Sequence, residues 1–273
     1  MTRRILKCQN CGVMVQRCDA RKVGQKNAYI CPSCDRTKGY YTKNETKVHK
    51  ATKNHKTYGF ELECIPRSPQ KKRVLINSKY QFIPTKDGSL PPTGIEFKTP
   101  IYNSMRGLRK LFKMVIKNVN FTSPKCGQHI NIGDTSYINI HTMDFLRSCG
   151  NIIFDRLGNY MKLHTDDTIR VCGRYFTNYA NMYSTYNTHK SWINLTHDDR
   201  IEFRISKFVT PNQYFNLTCM WTEMIDLIIN NLLKKPFTDY RTSDKALEKV
   251  QSKLIEIFKK YANHSALCQQ RVA

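Results

Sequence analysis

Glu61-x-Glu63, in the stretch Tyr58-Gly-Phe-Glu-Leu-Glu-Cys64, is the first of several charged positions set among apolar residues. Asp87, Glu96, His129 and the pair Glu202-x-Arg204 follow it along the chain. Residues i and i+2 of a β-strand share one face, so each spaced pair projects two charged groups from one side. Four glutamates, an aspartate and a histidine turned toward one cavity repel one another unless divalent cations lie among them. An arginine beside them adds a planar fork that matches phosphate oxygens. Residues of these types at this spacing point to metal–nucleotide chemistry.

A second set of spacings lies upstream. Cys8-x-x-Cys11 and Cys31-x-x-Cys34 are two pairs separated by 19 residues. Each pair wraps two thiolates around one tight turn, and two such turns close a tetrahedral zinc shell. Gly12 and Pro32 suit those turns, and Cys18 is a spare thiol between them. A redox dithiol needs a βαβ setting that neither pair has. A segment this small has little core, so zinc would supply much of its folding free energy.

Three regions must position these groups: a zinc ribbon over residues 1–40, a basic linker over 41–56 and one larger domain over 57–273. The chain of 273 residues is 40% apolar, enough for a sizeable core. Its net charge is +24, and residues 1–56 hold 14 Lys/Arg against 3 Asp/Glu. That N-terminal excess predicts contact with nucleic acid or another polyanion; a merely solubilising surface is the competing account. The basic start Met1-Thr-Arg-Arg has no apolar run behind it, and Met220–Leu233 is too short and too charged to span a bilayer. Eleven cysteines, mostly scattered, suit a reducing compartment. The expectation is a cytoplasmic protein without a membrane partner.

Within the larger domain, residues 58–65, 74–83, 94–99, 129–132 and 201–205 read as strands, rich in aromatic and β-branched side chains. Met105, Leu108, Leu111, Phe112, Val115 and Ile116 recur at helical spacing. Two helices close the chain, one over 212–233 and one carrying Leu247, Val250, Leu254, Ile257, Phe258 and Tyr261. The fold class is α+β, a sheet with helices packed on one side.

The ordered motifs from Gly59 to Arg204 carry a resemblance to a known family. They are Gly59-Phe-Glu-Leu-Glu63, Asp87-Gly-Ser-Leu90, Gly94-Ile-Glu-Phe-Lys-Thr-Pro100, Cys126-Gly-Gln-His-Ile-Asn131, Arg174-Tyr175 and Ile201-Glu-Phe-Arg204. In this order they resemble the amidoligases, relatives of glutamine synthetase and glutamate–cysteine ligase. The resemblance implies a concave, mainly antiparallel sheet that binds ATP with Mg2+ or Mn2+ ions. It implies one metal cluster of Glu61, His129 and Glu202, and another of Glu63 and Glu96 with Asp87. Arg204 would lie against the transferred phosphoryl group. Arg174, with Lys190 where relatives often carry arginine, would contact phosphate or the substrate carboxylate. The implied reaction joins a carboxylate and an amine, small molecules or peptides, through an acyl phosphate. No nucleophilic side chain is needed, and Cys64 and Cys126 are expected to be buried structural thiols. A second expectation keeps the ribbon and basic arm as a nucleic-acid-binding device and makes the amidoligase-like domain structural or ligand-binding only.

Overall fold

The computed structural model describes residues 5–8, 14–16, 21–23 and 28–30, and residues 56–270 except 103, 121–125, 135–137, 139, 183–187, 208–209 and 231–243. These form a mixed α/β structure with six helices and a mostly antiparallel open sheet among the described residues. None of the described helices is long and apolar enough to cross a membrane. Two compact units divide the chain, Met1–Gln128 and His129–Ala273.

The first unit opens with two short hairpins. β1 (Ile5–Lys7) pairs antiparallel with β2 (Met14–Gln16), and β3 (Arg21–Val23) with β4 (Ala28–Ile30). Cys8 follows β1 directly and is buried; Cys11, Cys31 and Cys34, and so the expected zinc site, lie outside the described residues, as do residues 41–55 of the expected linker. β5 (Lys56–Pro66) is the long central strand. It pairs antiparallel with β7 (Ile95–Lys98), which pairs with β6 (Ile83–Thr85), while β8 (Val119–Asn120) pairs with the end of β5. Phe60 and Leu62 on β5 point into the core, where Phe60 meets Phe112 edge-on at 5.2 Å.

Two helices back these strands. Ser68 accepts a hydrogen bond from the Lys71 amide and Pro69 fills the first turn, so α1 (Pro69–Ile76) starts as a capped helix. The strand expected over 74–83 is therefore wrong. Leu75 and Ile76 are the buried side of α1, the chain turns through Ser78–Gln81, and the strand begins only at Ile83. The β-branched and aromatic content was real, but a capping serine ahead of it decided the local structure. α2 (Leu108–Asn118) follows the helical spacing and buries Leu108, Leu111, Phe112 and Val115. Gly107 enters it at φ 89°, a left-handed conformation that favours glycine.

In the second unit, β9 (Gln128–Asp134), β11 (Ile201–Ser206) and β10 (Ile193–Asn194) lie side by side with β11 in the middle. α3 (Ile140–Leu163) and α4 (Thr165–Cys172) precede β10, and α5 (Pro211–Ile228) and α6 (Asp244–Gln270) complete the unit. Trp192 and Trp221 are fully buried at its centre, and Trp221 stacks on Phe203 of β11 at 4.3 Å. Helix α3 has no counterpart in the pattern reading. α5 runs to Ile228 and residues 229–230 continue it as a π-turn; residues 231–233 of the expected helix lie outside the described residues.

Candidate active site

β5 and β7 are in a register that sets Glu63 opposite Glu96 and Glu61 opposite Lys98. Directly opposed residues of an antiparallel pair share a face, so Glu61, Glu63, Glu96 and Lys98 stand together on it. Opposed like charges destabilise a sheet unless something neutralises them. Part of the answer is local. The Gly127 amide donates to Glu63 Oε2 at 2.6 Å, and Lys98 Nζ lies 3.3 Å from Glu61 Oε1 and 3.3 Å from Glu96 Oε1. Burial alone would lower the Lys98 pKa, but the two carboxylates outweigh it and hold the ammonium above its ordinary value.

The loop after β6 brings in a fourth carboxylate, Asp87. Asp87 Oδ1 accepts from the Ser89 amide at 2.8 Å, an Asx turn that fixes the aspartate. Glu63, Asp87 and Glu96 each offer an oxygen within 4.8 Å of the others, and this trio is the second cluster implied by the motifs. Thr85 opposes Glu96 in the β6–β7 register, and its buried hydroxyl has no hydrogen-bond partner. Three hard oxygen donors beside an orphaned hydroxyl fit Mg2+ or Mn2+, which prefer carboxylates and retain waters.

The second unit builds a different arrangement around Glu202. Its Oε1 accepts from Arg204 at 2.8 Å and lies 3.1 Å from His129 Nδ1; its Oε2 accepts from Asn194 Nδ2 at 2.6 Å and lies 3.4 Å from His197 Nε2. Asn194 is the residue directly opposite Glu202 in the β10–β11 register, which explains that contact. Four donors fill the acceptor capacity of one carboxylate. Burial alone would raise the Glu202 pKa; hydrogen bonds from His129 and His197, then the charges of His129 and Arg204, hold it far below the usual carboxylate range. Arg200 extends the network, reaching Asn131 Oδ1 at 3.1 Å and lying 3.4 Å from His197.

Other expected residues take different places. Arg174 donates to the carbonyls of Arg204 and Ile205, so its guanidinium braces the β11 backbone. Lys190 is exposed in a turn whose carbonyl accepts from Asn181. Cys64 and Cys126 are fully buried, and burial followed by the neighbouring Cys126 pushes the Cys64 thiol well above its ordinary value, so it is no thiolate. Lys98, Asn194, His197 and the Gly127 amide were not foreseen. Strand alternation could have found Lys98, two residues after Glu96; Asn194 and His197 depend on the β10–β11 register, which leaves no local mark.

No family model matches this chain, and no curated protein matches it either.

Proposed function

We propose that this chain is an ATP-dependent carboxylate–amine ligase with an N-terminal zinc ribbon. The observation that carries this reading is the Glu63–Asp87–Glu96 trio, three carboxylates drawn from two opposed strands and a fixed turn. Opposed acids at a strand pair are costly to build and useful only around cations. A divalent ion held by Glu63, Asp87 and Glu96 would offset the charge that develops during phosphoryl transfer. Within the second unit Arg204 is held 2.8 Å from Glu202, which Asn194 and His197 keep in place, and the resemblance gives that guanidinium the transferred phosphoryl group. In the reaction, a substrate carboxylate oxygen attacks the γ-phosphorus and ADP leaves. An amine nitrogen then attacks the acyl phosphate carbon, phosphate departs, and the nitrogen loses a proton to give the amide.

Purified full-length protein with Mg2+, ATP and panels of acids and amines should release ADP and phosphate in equal amounts, only when both co-substrates are present. Glu96→Gln and Arg204→Ala should each lower kcat by about a hundredfold or more while circular dichroism stays unchanged. Wild-type turnover in both variants with the true substrates would remove this site, and ADP release independent of any acid would remove the ligase assignment.

A further inference from the structure

Residues 57–128 of the first unit are far more basic than the second unit. Residues 57–128 carry 13 Lys/Arg against 4 Asp/Glu, a net +9, whereas residues 129–273 carry 18 against 14, a net +4. The four acids of 57–128 are Glu61, Glu63, Asp87 and Glu96, all within the candidate active site. Residues 57–128 have no other carboxylate to balance their remaining cations.

Those cations are concentrated on α2. Arg109, Lys110, Lys113 and Lys117 are exposed and recur at three- and four-residue steps, with exposed Arg106 just before the helix. Residues so spaced line one side of a helix. The opposite side is apolar and buried in the core. Among the described residues, no ion pair ties Arg106, Lys110, Lys113 or Lys117 to a carboxylate. The stripe from Arg106 to Lys117 runs roughly 16 Å at about 1.5 Å per residue. α1 packs beside α2 and adds Lys71, while Arg67 donates to the Ile116 and Val119 carbonyls at the end of α2.

Helix stability does not account for this pattern. Neither α1 nor α2 has an acid in its first turn, and both place lysines there, against the positive end of the helix dipole. A polyanion lying along the helix would offset that cost. We propose that the exposed face of α2 binds the phosphate backbone of nucleic acid, independently of base sequence. Each DNA strand presents one negative charge per about 3.4 Å of duplex axis, and five cations over roughly 16 Å match that single-strand spacing. No aromatic side chain of α2 is exposed, which leaves phosphate contact without base stacking. An anionic membrane fits less well, because α2 keeps its large apolar residues Leu108, Leu111, Phe112 and Val115 in the core and has none to insert among lipids. The stripe is built from residues outside 1–56 and does not depend on the ligase reading.

The test is fluorescence anisotropy of the full chain with a short random-sequence DNA duplex over a salt series. Wild type should bind with a steep salt dependence. The triple variant Lys110→Gln, Lys113→Gln, Lys117→Gln should bind about tenfold or more weakly at low salt, and its log–log salt slope should flatten by about 2 to 3, roughly 0.9 per lost contact. The matching arginine triple should retain wild-type affinity. Lys249→Gln, Lys253→Gln, Lys259→Gln on α6 removes the same charge from exposed positions and should stay within about threefold of wild type. The proposal is overturned if wild type does not bind, if the α2 triple keeps the wild-type slope, or if both glutamine triples weaken equally. It is also overturned if the α2 triple loses affinity for phosphatidylserine vesicles but not for the duplex.

Discussion

Lys98 sits where an ion would otherwise be needed, 3.3 Å from carboxylates on two strands. Removing its charge leaves Glu61 and Glu96 facing each other without that cation. Its side chain is 38% exposed, so solvent screening reduces the loss to on the order of 1 kcal/mol. Lys98→Met should therefore lower Tm by roughly 2–4 °C in divalent-free buffer. Mn2+ should then raise the variant's Tm more than it raises the wild type's. Equal Mn2+ shifts by differential scanning fluorimetry would show that Lys98 does not compete with an ion. Glu202 gives a pH prediction. Its carboxyl is held below its unfolded value of about 4.3, so the stabilisation is complete above that pH and is lost as pH falls toward the folded value. Glu202→Gln should be less stable than wild type at neutral pH, with a urea midpoint that falls less steeply in acid. Parallel curves for the two proteins would disprove this assignment.

Among the elements, the clearest punctuation is the pair of caps Ser68-Pro69 and Thr210-Pro211. The Thr210 hydroxyl accepts from the Gln213 amide at 3.1 Å at the start of α5, which carries buried Trp221. Thr210→Ala should cost about 1 kcal/mol, and Thr210→Asp should recover most of it. Thermal unfolding followed by tryptophan emission measures both, and an alanine variant as stable as wild type would show that the cap contributes nothing. α5 was legible because a cap, a proline and an apolar stripe agree. α1 was misread because Val74, Leu75 and Ile76 resemble a strand once Ser68 is overlooked. α3 was missed for another reason: Gly150 and Gly158 interrupt its pattern, and a Cβ on Gly158 would stand 2.9 Å from Met182 Cγ, so close packing explains that glycine.

At the scale of the molecule, charge is divided as sharply as structure. The described part of the first unit has a mainly acidic face on β5 and β7, with Lys98 among its carboxylates, and a cationic stripe on α2. The total of +24 conceals this division. Separating the folded units exposes a second basic region that a polyanion can reach.

The sequence by itself determined which residues could do chemistry. Strand alternation put Glu61 with Glu63 and Glu202 with Arg204, because a period of two is a local property of extended chain. It also determined the amphipathic course of α2 and the α+β composition. Only the tertiary structure decided the partners. Glu63 meets Glu96, Asn194 meets Glu202 and Lys98 bridges two acids through strand register, set by which hydrophobic faces pack together and not by neighbours in the chain. For the same reason Arg174 became a brace on β11, where long-range packing supplied carbonyls that no local pattern announces.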